Sequence, residues 1–216
     1  MHATRIIAIR HGETAWNVET RLQGHLDIDL NDKGRWQAQQ LGQALADEEI
    51  SHIYSSDLQR AMATAQAVAQ YNHYLASPKV HTHTGLRERG FGSFEGLTYA
   101  EVETRWPEES ERWRKRDPDF APPGGETPVQ VRQRVAETLD ALASRHAGEQ
   151  IVLVAHGGIM DVLYRLATQQ DIGAPRTWTL GNAAINRLLW TPEGMTLVGW
   201  ADTRHLEEAT MDEASA

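Results

Sequence analysis

Ile6-Ile7-Ala8-Ile9-Arg10-His11-Gly12-Glu13-Thr14 is a short apolar run that breaks into an arginine, a histidine and a glycine. Four apolar residues in succession predict a strand buried on both faces, the kind found inside a parallel sheet. Ligands of open α/β sheets collect beyond the carboxyl ends of the strands, so Arg10 and His11 are predicted to floor a pocket. His11 is one histidine of ten, and taken alone it reads more simply as a satisfied structural residue. A second stretch changes that balance. Ile151-Val152-Leu153-Val154-Ala155-His156-Gly157-Gly158 is the most apolar strand in the chain and ends the same way, in His-Gly.

Between these strands the pattern predicts two more. His52 to Ser55 is one, followed by Ser56-Asp57 as a cap and a helix from Leu58 to about Gln70. Arg60 falls in the first turn of that helix, where a cation opposes the helix dipole unless an anion is there to meet it. Lys79 to His83 is the other strand. His81 and His83 share one of its faces, but no carboxylate cluster adjoins them, so no metal site is expected. Glu88 lies just past the end of this strand, with Glu95 as a competing acid in the glycine-rich segment that follows.

Helices are predicted from Asn31-Asp32 to about Glu48, from Thr98 to about Trp106 with a Thr98/Glu101 capping box, from Thr127-Pro128 to about Ala147, and from Ile159 to Thr168. Arg10 to Leu30 and Asp117 to Glu126 read as loops, and Arg112 to Arg116 as a solvated basic face. A hairpin of Ala184 to Trp190 and Met195 to Ala201 completes an α/β sheet.

Composition bounds the function. The 216 residues suffice for one α/β domain, assigned to 1–203, with an acidic tail, 204–216, expected to fray. There is no cysteine, which excludes disulfides and cysteine-based zinc sites and suits a reducing compartment, with the cytoplasm as the expected one. No apolar run approaches the roughly 18 residues of a membrane helix, and no membrane partner is expected. A formal net charge of -9 argues against a nucleic-acid surface, yet the candidate site residues include arginines. A local positive pocket in an acidic protein suits a small anion.

Two histidines, two arginines and a glutamate at strand ends match the needs of phosphoryl transfer. A neutral imidazole at His11 attacks phosphorus, Arg10 and Arg60 neutralise the phosphoryl oxygens, His156 adds a donor, and a protonated Glu88 supplies the leaving oxygen with its proton. No metal or other cofactor is required by this scheme.

The ordered motifs Arg10-His11-Gly12-Glu13-Thr14, Trp16-Asn17, Arg21-Leu22-Gln23-Gly24, Ser55-Ser56-Asp57-Leu58 with Arg60, Leu86-Arg87-Glu88, Pro123-Gly124-Gly125-Glu126 and Ala155-His156-Gly157-Gly158 resemble the histidine phosphatase superfamily. The likeness is to its phosphoglycerate-mutase-like branch and spans residues 4 to 202. It implies a three-layer α/β/α sandwich around a mostly parallel sheet. It also implies His11 as the phosphorylated nucleophile, Glu88 as the acid, and Arg10, Arg60 and His156 as the phosphate pocket, with Asn17, Gln23 and Gly24 contacting the phosphoryl group or substrate. The acid phosphatase branch follows its second histidine with aspartate; here Gly157 stands there.

Within the branch, mutases typically carry tyrosine where this chain has Phe91 and lysine where it has Tyr99. Both departures favour a phosphomonoesterase over a cofactor-dependent mutase, whereas Trp113-Arg114-Lys115 is similar to the mutases' carboxylate-holding residues. A binding module without turnover is the reading from another class, and the full set of His11, Glu88 and His156 argues against it. The expected partner is a small phosphorylated substrate, and a homodimer stays open.

Overall fold

A computed structural model of the chain describes residues 2–207. Its centre is a six-stranded sheet in the order β3-β2-β4-β1-β5-β6. The strands are β1 (Thr4–Arg10), β2 (His52–Ser55), β3 (Val80–Thr82), β4 (Gln150–Ala155), β5 (Ile185–Thr191) and β6 (Gly194–Asp202). The first four are mutually parallel, and the β5/β6 hairpin joins antiparallel along β1. β1 and β4 lie side by side, with Arg10 paired to Ala155, so His11 and His156 leave the sheet together.

Alternation along these strands builds two cores. Ile6, Ala8, Ile151 and Leu153 turn to one face and pack under α6 (Pro128–Ala143) and α7 (Gly157–Thr168). Ile7, Ile9, Val152 and Val154 turn to the other and pack under α2 (Asp32–Ala44) and α3 (Gln59–Tyr71). The result is a layer of helices on each face of the sheet, as the sequence implies. Each buried aliphatic side chain contributes about 1.5–3 kcal/mol, so the central strands are held from both sides.

A smaller third cluster of Leu22, Phe94, Val102 and Phe120, flanked by Phe91, Trp106 and Trp113, lies beneath the cap formed by α4 (Tyr99–Arg105) and α5 (Pro107–Arg114). The Thr98/Glu101 and Thr127/Gln130 capping boxes form as expected.

Several boundaries differ from expectation. The second helix stops at Ala44 rather than Glu48, because the Asn72 side chain takes the Leu45 and Glu48 carbonyls (2.8 and 2.9 Å) that further helical turns would use. The sixth stops at Ala143, whose carbonyl accepts from the Thr4 hydroxyl. The stretch expected as a plain loop, Arg10 to Leu30, contains a one-turn helix, α1 (Ala15–Val18), and its Arg21 bridges to Thr98. Arg204–Leu206, expected to begin a frayed tail, forms a 3₁₀ turn whose Leu206 packs on the second core. Residues 208–216 lie outside the described residues.

Candidate active site

Beyond the carboxyl ends of β1 and β4 is a cavity of about 700 Å³. All of the anticipated site residues, Arg10, His11, Asn17, Gln23, Gly24, Arg60, Glu88 and His156, lie at it or directly against it.

His11 is fixed from three directions. Its backbone N–H extends the ladder to Ala155 O (3.0 Å), its carbonyl accepts from Asn182 Nδ2 (2.8 Å), and the following Gly12 N–H donates to Thr64 Oγ1 (3.0 Å). The helix α2 passes so close that a Cβ on Gly12 would stand 2.5 Å from Gly34 O, and one on Gly34 would stand 2.0 Å from Glu13 O. The ring Nδ1 lies 2.7 Å from Gly12 O. A carbonyl only accepts, so Nδ1 carries the hydrogen and Nε2 keeps its lone pair. Burial, then the charges of Arg60 and Arg10, pushes the His11 pKa well below the ordinary imidazole range. The ring is therefore neutral and oriented, with Nε2 left to accept or to bond.

His156 stands 5.2 Å from His11 between ring centroids. Its Nε2 lies 2.8 Å from Ser56 Oγ, and its buried Nδ1 has no partner. Burial and Arg60 lower its pKa as well.

The two arginines are less free than sequence suggested. Arg60 is fully buried and donates from Nη1 to Leu26 O and from Nη2 to Gly24 O, both at 2.8 Å. Arg10 donates from Nη1 to Leu180 O. In each, Nε is buried without a partner. Part of each guanidinium thus braces a loop, and the remainder is left for an anion. The α3 amino terminus is capped by Asp27, whose Oδ1 accepts from Gln59 N at 2.7 Å, and not by a Ser56 or Asp57 side chain. Asp57 instead holds Arg87 through paired contacts of 2.7 and 2.6 Å.

Glu88 accepts from its neighbour Arg89 N (2.7 Å) and from Gly158 N (3.1 Å) in the first turn of α7. A Cβ at position 158 would come within 2.3 Å of Glu88 Oε1, so any side chain there would have to displace the Glu88 carboxyl group. The segment carrying Glu88 is held by Arg134, which pairs with Glu126 (2.9 Å) and donates to Gly85 O and Arg87 O. Glu95, the competing acid, spends Oε1 on the backbone N–H groups of His25 and Phe91 and does not border the cavity.

Asn17 Oδ1 caps the Thr14 turn, accepting from Thr14 N at 3.0 Å, which leaves its amide N–H groups for the cavity. Gln23 is buried with Oε1 unpartnered. Gly24 adopts a left-handed φ of 51° and serves through its carbonyl.

The basic run divides. Arg112 and Lys115 pair outward with Asp117 and Glu111, as a solvated face should. Trp113, Arg114 and Arg116 instead line the cavity, joined by Arg176 from the loop after α7. Of the expected histidine pair, His83 caps a 3₁₀ turn by accepting from Gly85 N. Asn182, Gly34, Arg134 and Arg176 were not anticipated.

The model of the histidine phosphatase superfamily, branch 1, matches residues 6–203. The chain belongs to this superfamily. It is 40% identical over 206 residues to phosphoglycerate mutase-like protein 4 of Arabidopsis thaliana, covering 94% of this chain and 87% of the relative. It is 35% identical over 205 residues to the metal-independent phosphoserine phosphatase of the same plant, covering 94% and 83%. Among solved structures, the phosphoserine phosphatase of Entamoeba histolytica in complex with 3-phosphoglyceric acid superposes with a TM-score of 0.82 at 28% identity, covering 94% of this chain and all of that one. This histidine phosphatase is thus similar both to a relative named for mutases and to phosphatases.

Proposed function

We propose that this histidine phosphatase is a metal-independent phosphomonoesterase that works through a phosphohistidine on His11. The observation that supports it most is the Nδ1 contact with Gly12 O, which leaves Nε2 as the free lone pair at the cavity, beside two guanidinium groups that are only partly used. In the first step Nε2 bonds to phosphorus, the ester P–O bond breaks, and the Glu88 carboxyl gives its proton to the departing oxygen. In the second, water bonds to phosphorus, its proton goes to Glu88, and the P–N bond breaks. Arg10, Arg60 and His156 hold the phosphoryl oxygens through both steps.

The substrate on this reading carries a second anionic group. Arg114, Arg116 and Arg176 line the outer cavity; Arg114 is paired with Glu103 at 2.8 Å, but Arg116 meets Asp161 only at 3.9 Å, and among the described residues no carboxylate pairs with Arg176. Phosphoserine and phosphoglycerate esters have that form, and names of this kind recur among the relatives. Arg114 is also the observation that favours mutase activity. A metal-free incubation with phosphoserine, and with 3-phosphoglycerate plus 2,3-bisphosphoglycerate, distinguishes the two by reading phosphate release and isomerisation separately. Isomerisation without release overturns the phosphatase reading.

A further inference from the structure

At the other end of the parallel strands from His11, the amino-terminal ends of β2 and β4 gather His52, His146 and Glu149. His146 is buried between two partners: Nδ1 lies 2.8 Å from Glu149 Oε2 and Nε2 lies 2.8 Å from the Tyr54 hydroxyl. The His52 ring packs 4.4 Å from that of His146, and its Nδ1 is 3.8 Å from the same Glu149 oxygen. This Nδ1 is buried and has no hydrogen-bond partner. One ligand atom from each of the three residues lies within 4.8 Å of the others.

Hydrogen bonding accounts for His146 but leaves His52 Nδ1 unexplained. The Glu149 oxygen is already in use by His146, and His52 Nδ1 is left buried beside it with no bond of its own. A central cation explains it. Metal–ligand bonds of about 2.0–2.1 Å at tetrahedral angles put neighbouring donors about 3.3 Å apart, and the two measured separations, 2.8 and 3.8 Å, fall on either side of that spacing. Two imidazoles, one carboxylate and a free position form a donor set for Zn²⁺. With no ion bound, His146 Nδ1–H donates to Glu149 and the Tyr54 hydroxyl donates to Nε2; an ion on Nδ1 would displace that proton, and the same hydroxyl can then accept from Nε2–H.

We propose that His52, His146 and Glu149 form a binding site for a divalent transition ion, best matched by Zn²⁺, that ties the turn between α6 and β4 to the start of β2. The site shares no residue with the phosphoryl pocket and does not depend on the phosphatase reading.

The test is calorimetric titration of the chelator-stripped chain with Zn²⁺, with Co²⁺ as a spectroscopic substitute. One equivalent should bind, and Co²⁺ should show the visible bands of a tetrahedral ion. His52→Ala and Glu149→Gln, both at half-exposed positions, should each weaken binding by at least about tenfold while turning over an aryl phosphate at the unsubstituted rate. Absence of saturable binding overturns the proposal. So does equal affinity in His52→Ala, or binding lost in His11→Ala and kept in His52→Ala, which places the ion in the phosphate pocket.

Discussion

His11 and His156 end neighbouring strands on the same dipeptide, yet each commits the opposite ring nitrogen. His11 gives Nδ1 to the carbonyl of the next residue and keeps Nε2; His156 gives Nε2 to Ser56 and keeps Nδ1. Both are buried and both are held neutral by burial and by Arg60. The sequence motif delivers a histidine to the cavity, but a single hydrogen bond decides which nitrogen faces the work. On the proposed mechanism that bond makes His11 the nucleophile and His156 the holder of the phosphoryl group.

Breaking the comparison at His11 has the largest expected effect. His11→Ala should lower turnover of an aryl phosphate by on the order of 10⁴-fold or more and abolish the labelled phosphoenzyme trapped on acid quench. Label that survives the substitution assigns the nucleophile elsewhere, with His156 next in line.

Next is Gly158→Ala, which places a methyl against Glu88 without touching either histidine. Turnover should fall about 10²–10⁴-fold, as for Glu88→Gln, with the deficit greatest for poor leaving groups. A leaving-group series that is parallel in variant and parent removes Glu88 from the acid role.

His156→Ala should cost about 10²–10³-fold while still forming phosphoenzyme, since the substitution removes a donor and spares the attacking group. Ser56→Ala should cost less, because it frees the His156 ring to turn without deleting it. Loss in Ser56→Ala equal to that in His156→Ala makes orientation the whole contribution of His156.

The smallest signal is the titration of the rings. Both pKa values are lowered, so neither imidazole should gain a proton as pH falls through 6.5, where an ordinary histidine is half protonated. Unfolded chain does protonate there, so these two histidines subtract stability progressively as pH drops below that value. Ring ¹⁵N chemical shifts of selectively labelled protein report this directly; half-protonation of His11 near 6.5 contradicts the buried neutral ring.

What could be read from the sequence is what the chain states locally. The unbroken apolar runs Ile6 to Ile9 and Ile151 to Val154 announce two-sided burial, and a strand end fixes where the next side chain emerges, so the arrival of His11, His156 and Glu88 at the cavity could be read. Capping boxes are local too, and both formed. The misses depend on where distant loops travel. Asp27 caps α3 across 32 residues, and Asn182 reaches His11 O across 171. Arg60 looked free because its carbonyl partners belong to a loop whose path no spacing rule gives. The basic run was divided by helical phase: Arg114 faces the cavity, while Arg112 and Lys115 lie on the far side of the same turns.

The separate aromatic cluster under the cap has an evolutionary consequence. Leu22, Phe94, Val102 and Phe120 belong to neither core that flanks the sheet. Trp113, which lines the outer cavity, is anchored there, while His11 and His156 are anchored to β1 and β4. Substitutions within this cluster therefore fall outside the packing that holds β1, β4 and their histidines, so the outer wall of the cavity is free to vary apart from its floor.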